Sequence, residues 1–138
     1  MKRLIFRVLG WAHNTIYRLT GGKAGGTMRG APVLLLTVHG RKSGKRRTVP
    51  LLYGRDGDRY VVIASKGGDP KHPAWYLNLR GGEADLQVGK EHHHVRARDA
   101  EGDERERLWA QMVEVYADYA TYQTKTSRQI PVVVLEPA

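Results

Sequence analysis

Cysteine is absent from the 138 residues. With it go a disulfide framework, Cys-ligated zinc, iron–sulfur clusters and a thiol nucleophile. No run of about 18 apolar residues occurs, so a helical membrane span is not expected. The N-terminal stretch Leu4-Ile5-Phe6-Arg7-Val8-Leu9 is interrupted by Arg7 and lacks a small-residue cleavage site, which points to a cytoplasmic protein. Acid is missing locally: the first fifty residues carry 11 Lys/Arg and no Asp or Glu, whereas residues 51–138 carry 12 against 14. The whole chain has a net charge of +9. One end should therefore attract an anion, whether nucleic acid, phosphate, a polycarboxylate or an acidic membrane surface.

The chain is the size of one domain, and with 41% hydrophobic residues and three Trp it can bury a core. Apolar residues spaced by three and four from Leu4 to Leu19 predict an N-terminal helix, followed by a glycine-rich tether. Residues 1–30 are thus expected to stand apart from a domain at 31–138. A basic amphipathic helix on a tether can rest on a membrane surface, although most such helices cover a neighbouring core. Strands are predicted at 33–39, 48–54 and 59–65, joined by the basic hairpin Gly40–Arg47 and by Asp56-Gly57, as an antiparallel meander. One or two helical turns follow Pro73 at 74–79. Strands at 84–89 and 92–98 turn at Gly89-Lys90, a long helix runs from about Gly102 to about Tyr122, and 130–135 supplies a last strand. About six antiparallel strands with these helices make an α+β, mainly β chain, best satisfied by a small closed or half-closed antiparallel barrel.

Four stretches carry chemistry. Gly40-Arg41-Lys42-Ser43-Gly44, extended by Arg46 and Arg47, offers cations, a hydroxyl and approachable backbone amides, as a phosphate requires; the competing reading is a solubilising edge hairpin. Ala64-Ser65-Lys66-Gly67-Gly68 ends a strand in groups able to hydrogen-bond a flat heterocycle, or is only a turn. In Pro73–Leu79, Trp75 and Leu79 should anchor the turn to the core, with Asn78 bonding a neighbouring strand. Tyr116, Tyr119 and Tyr122 form a helical stripe that either packs in the core or closes over an aromatic ligand. The run His92-His93-His94 alternates faces on a strand, so only His92 and His94 could share a ligand, and a metal site is not expected.

In order and spacing, Thr37–Gly44, Arg47-Thr48-Val49-Pro50-Leu51, Asp56-Gly57-Asp58, Ala64–Gly68, Pro73–Leu79, the tyrosine-bearing helix and Ile130–Leu135 resemble the deazaflavin-dependent nitroreductase family. The resemblance implies a split β-barrel related to FMN-binding barrels and reduced coenzyme F420 as hydride donor, with FMN the disfavoured cofactor. It implies that Arg41, Lys42, Ser43 and Arg47 hold the cofactor phosphate and the start of its oligoglutamate tail. Pro50, Ala64, Ser65, Lys66, Gly67 and Gly68 would line the deazaflavin ring, and Trp75 and Tyr76 would shape that wall. Tyr53, Ser65, Tyr116, Tyr119 and Tyr122 would approach the substrate. A polyanionic cofactor accounts for the cationic half of the chain.

The resulting expectation is an oxidoreductase passing a hydride to an electron-poor, hydrophobic or aromatic small molecule: a nitroaromatic, a quinone or an activated enone. The alternatives are a non-catalytic F420, flavin or lipid carrier, and a basic nucleic-acid or membrane-surface protein. Nucleic acid ranks last, because the basic hairpin has little aromatic interleaving. A monomer is favoured over a homodimer.

Overall fold

A computed structural model describes residues 27–28, 31–80 and 82–138. The expected N-terminal helix and tether lie largely outside the described residues. Eight strands are present: β1 (Thr27–Met28), β2 (Ala31–His39), β3 (Arg46–Leu52), β4 (Gly54–Asp56), β5 (Arg59–Ile63), β6 (Glu83–Val88), β7 (Glu91–Asp99) and β8 (Val132–Pro137). They form one sheet in the order β1-β2-β6-β7-β8-β5-β4, with β3 also paired to β2, and every pairing is antiparallel. Helices α1 (Ala74–Leu79), α2 (Gly102–Val115) and α3 (Asp118–Thr124) complete the described chain with a single 3₁₀ turn at Lys66–Gly68. No helix among the described residues is long and apolar enough to cross a membrane.

Three expectations need correction. The six strands become eight, through the short β1 and β4, and the hydrogen-bonded sheet is open. The meander over 33–65 does not form: β3 stays on β2, while β5 pairs with β4 and β8. Pro50 lies within β3, opposite Leu35. Lacking an N–H, it suits an edge strand and cannot serve a ladder on both sides. The strand expected at 48–54 therefore breaks at Tyr53, whose amide donates to the Pro32 carbonyl at 3.2 Å. Gly54 then passes under α2 so closely that a Cβ there would lie 2.7 Å from Met112 Sδ. The third correction is the long helix, which divides at Tyr116 (φ −150°, ψ 101°) into α2 and α3.

The sheet is apolar on both faces. Leu34, Leu36 and Val38 of β2 meet Val62, Leu86, Val95 and Leu135 on one side, capped by Trp75, Tyr76 and Leu79 of α1. On the other side Val61, Ile63, Val132 and Val134 pack beneath Leu108 and Met112 of α2 and Tyr119 of α3. β8 reads Val-Val-Val-Leu without alternation because it is covered on both faces, and all four residues are fully buried.

An ion-pair network fastens α2 to the sheet. Glu104 accepts from both terminal nitrogens of Arg98, at 2.5 and 2.9 Å, and from Arg59 at 3.4 Å; Arg98 also reaches Glu136, and Asp56 takes Arg59 and Arg107. The hydrogen bonds from Arg98 outweigh desolvation and hold the Glu104 carboxyl below its ordinary range; Arg107 does the same for Asp56. A carboxylate titrating lower in the folded than in the unfolded chain contributes stability above its unfolded range, and that contribution is lost as pH falls through the folded one. Glu104→Gln should therefore cost about 1–2 kcal/mol in urea unfolding at pH 7, discounted for partial exposure. The gap from wild type should close as the pH is lowered through the acid range.

Candidate functional site

Where α1, α3 and the end of β5 converge on β3, the structure leaves a cavity of about 420 Å³. Its apolar wall includes Val33, Pro50, Leu52 and Ile63; its aromatic wall is Trp75, Tyr116, Tyr119 and Tyr122; its polar edge is Ser65, Lys66 and Gly67.

The polar edge has unusual backbone. After Ser65 the chain takes three successive left-handed residues, Lys66 (φ 46°), Gly67 (φ 63°) and Gly68 (φ 85°). For Lys66 this conformation costs about 1–2 kcal/mol. Two bonds close the turn, Gly68 N–H to Ser65 O at 3.0 Å and Asp69 N–H to Lys66 O at 3.1 Å. The amides of Lys66 and Gly67 have no acceptor among the described residues, and both residues border the cavity. Gly68 is pressed against α3: a Cβ there would sit 2.6 Å from the Tyr122 carbonyl oxygen.

The break between α2 and α3 gathers the tyrosines. On a continuous helix, residues six apart are separated by about 9 Å along the axis. Here the Tyr116 and Tyr122 ring centres are 6.1 Å apart and their hydroxyls 3.0 Å apart. Tyr116 donates its proton to Asp118 at 3.0 Å, so the proton between the two phenols comes from Tyr122. Tyr119 stands edge-on to both rings, at 5.0 and 6.4 Å. Burial, followed by the two neighbouring phenols, pushes its ionisation well above the ordinary range, so its proton stays on. Its hydroxyl has no partner among the described residues.

A second cavity, of about 410 Å³, lies under the basic hairpin and is lined by Gly40, Arg41, Lys42, Ser43, Arg47 and Asn78. It shares Val49 and Trp75 with the first, so the two open side by side. The hairpin loop is closed by Gly44 N–H to Gly40 O at 2.7 Å and Gly40 N–H to Lys45 O at 2.8 Å. Asn78 Oδ1 accepts from both the amide and the guanidinium of Arg41, at 3.0 and 2.9 Å, which pins this loop to α1. Asn78 thus bonds the loop rather than a neighbouring strand. Arg46 pairs with Asp85 at 3.5 Å, but Lys42 and Arg47 have no carboxylate partner among the described residues.

The two cavities bring together Arg41, Lys42, Ser43, Arg47, Pro50, Ser65, Lys66, Gly67, Trp75, Tyr116, Tyr119 and Tyr122. Four other candidates lie outside both linings. Tyr53 packs edge-on to Tyr60 at 5.6 Å. Ala64 is fully buried, and Gly68 backs onto α3. Tyr76 donates to Asp99 at 2.5 Å and, chiefly through burial, is pushed up to about 12. Sequence reasoning missed the apolar lining from Val33, Leu52 and Ile63, which only the folded sheet assembles. It also missed Arg128, which bonds the carbonyls behind the polar edge. Of the histidine run, His94 bonds Asp85 and Glu83 while His93 bonds Glu91, and no cluster able to hold a metal ion occurs among the described residues.

The family model for F420H(2)-dependent quinone reductase matches residues 11–137. An F420H(2)-dependent quinone reductase of Mycobacterium tuberculosis is 44% identical over 128 residues, spanning 89% of this chain and 86% of the relative. A solved F420-H2 dependent reductase is 47% identical, with a TM-score of 0.69 over 76% of this chain and 94% of its own. Another solved relative, described as a domain-swapped dimer, is 43% identical, with a TM-score of 0.72 over 91% and 97%.

Adjacent glycines in the polar edge should respond differently to a methyl group. Gly67→Ala meets open space and should cost about 1 kcal/mol in urea unfolding, from its left-handed backbone. Gly68→Ala also drives a Cβ into the Tyr122 carbonyl and should cost about 2 kcal/mol or more.

Proposed function

This chain belongs to the F420H(2)-dependent quinone reductase family, and from that premise we propose that its paired cavities hold reduced coenzyme F420 and pass a hydride to a quinone. The observation that carries this reading is the wall of Val49 and Trp75 common to an aromatic cavity and a cationic one. A ligand with a flat ring at one end and an anionic tail at the other fits that pair, whereas a compact anion would use only half of it.

Arg41, Lys42, Ser43 and Arg47 meet the phosphate and the first glutamates of the tail. The absence of carboxylate partners for Lys42 and Arg47 among the described residues leaves their charge available for that contact. Pro50 and Trp75 flank the ring, and the Ser65 hydroxyl with the amides of Lys66 and Gly67 donates to its polar edge. The donor set thus suits a ring bearing carbonyl oxygens. When bound, the reduced deazaflavin supplies the hydride. The chain's own residues keep water from the reacting faces and hold the acceptor between the tyrosines and the ring. Tyr119, protonated and without a partner among the described residues, donates a hydrogen bond to the quinone oxygen as negative charge develops there. Nitroaromatics and activated enones, which also develop charge on oxygen, are further acceptors under this reading. It also takes the open sheet as a split β-barrel and the enzyme as a cytoplasmic monomer, with peripheral membrane contact left to the N-terminal segment.

Titration with oxidised F420, followed by ligand fluorescence beside FMN, tests the cofactor assignment. Selective binding that Lys42→Ala/Arg47→Ala weakens about tenfold or more is expected; absence of selectivity would overturn the reading. Tyr119→Phe should lower kcat with menadione about tenfold while changing F420 affinity little. Undiminished turnover would remove this phenol from the chemistry.

A further inference from the structure

We propose that Arg128 is a positioning residue for the reduction, a clamp that spans from the tail of α3 to the Ala64–Asp69 turn and holds the two walls of the first cavity together, with His72 as a further acceptor. The inference rests on the reading of that cavity as the ring and acceptor site. Arg128 itself lines neither cavity.

Four of the five guanidinium donors are committed. Nε donates to Asp69 O at 2.9 Å, Nη2 to Ser65 O at 2.8 Å, and Nη1 to Ala64 O at 3.2 Å and His72 Nδ1 at 3.2 Å. The three carbonyls bracket the left-handed Lys66-Gly67-Gly68 backbone, whose strain requires restraint from outside the turn. At its other end Arg128 is fixed to the tyrosine helix, since Gln123 of α3 donates to its carbonyl at 2.8 Å and accepts from the Ile130 amide at 2.9 Å. One side chain therefore joins the wall bearing Ser65, Lys66 and Gly67 to the wall bearing Tyr119 and Tyr122. A planar fork with fixed donor directions does this, and a lysine ammonium would not.

An arginine can only donate, so His72 Nδ1 must be the acceptor and its proton must sit on Nε2. His72 is faced by the Tyr76 ring at 4.8 Å, by Arg80 at the end of α1, by Asp99 from β7 and by Arg128. Burial, then Arg128 and Arg80, hold its imidazole below the ordinary range against the opposing pull of Asp99. The clamp is complete above that range. As pH falls through the lowered titration, a proton on Nδ1 faces Nη1 and donor meets donor, so the turn loosens.

The test uses the full chain with Arg128→Lys, which keeps charge without the fork, and His72→Asn, which puts a non-titrating oxygen near the position of Nδ1. Amide hydrogen exchange of the ligand-free protein is read at residues 64–69 against β8 as reference, beside F420 titration and kcat and KM with menadione. Arg128→Lys should speed exchange in the turn about tenfold with β8 unchanged, and should lower kcat at both neutral and acid pH. His72→Asn should match wild type at neutral pH and lose the acid-side rise in exchange. Unchanged exchange in Arg128→Lys, or an acid-side rise that persists in His72→Asn, would overturn the proposal. Failure of wild type to bind F420 would instead sink the functional reading, while the ligand-free exchange still decides whether the clamp exists.

Discussion

A sheet that is apolar on both faces must be covered twice. β8 and β5 bury side chains upward and downward, and the chain meets the demand with α1 on one face and α2 with α3 on the other. Neither cover extends over the edge where β3 turns away from β5. The first cavity opens there, lined by Trp75 from one core, Tyr119 from the other and Val33 from the patch behind β2. A site at the junction of separate packing layers receives aromatic walls already buried for reasons of stability, and adds only a few polar groups.

Charge is divided between two tasks along the same lines. Arg59, Arg98 and Arg107 each bond Asp56, Glu104 or Glu136, and together they fasten α2 to the sheet. The cations of the β2–β3 hairpin come from the part of the sequence without acid. Apart from the Arg46–Asp85 pair they remain uncompensated by carboxylates among the described residues. A cation already paired adds little field at a distance, whereas cations without carboxylate partners on a loop pinned by Asn78 present a fixed positive wall. Arg128 has a third use, satisfying backbone carbonyls rather than carboxylates, so its charge is spent inside the molecule.

The backbone at the site is also unlike the rest. Lys66 is the one non-glycine with positive φ among the described residues, and it opens the turn that borders the cavity. Strain of that kind persists where surrounding bonds outweigh it. Here they come from Arg128 on one side and from the close approach of Gly68 to Tyr122 on the other.

Much of this could be read without coordinates. The apolar run 33–39, the Asp56-Gly57 and Gly89-Lys90 turns and the helical turns after Pro73 are local signals, set by side-chain periodicity and turn chemistry within a few residues. The acid-free first fifty residues are legible for the same reason, since charge needs no fold to be counted. Partner choice was different. Pro50 marks an edge strand, but that β5 would then leave β3 for β8 depends on Val132–Leu135, far along the chain. The α2–α3 break, which brings three tyrosines to one cavity, follows from tertiary packing that overrides helical spacing. Arg128 and His72 are 56 residues apart. Hydrogen-bond geometry between such distant groups exists only once the sheet and its helices have packed around the two cores, so the tertiary structure alone decided how the cavity walls are held.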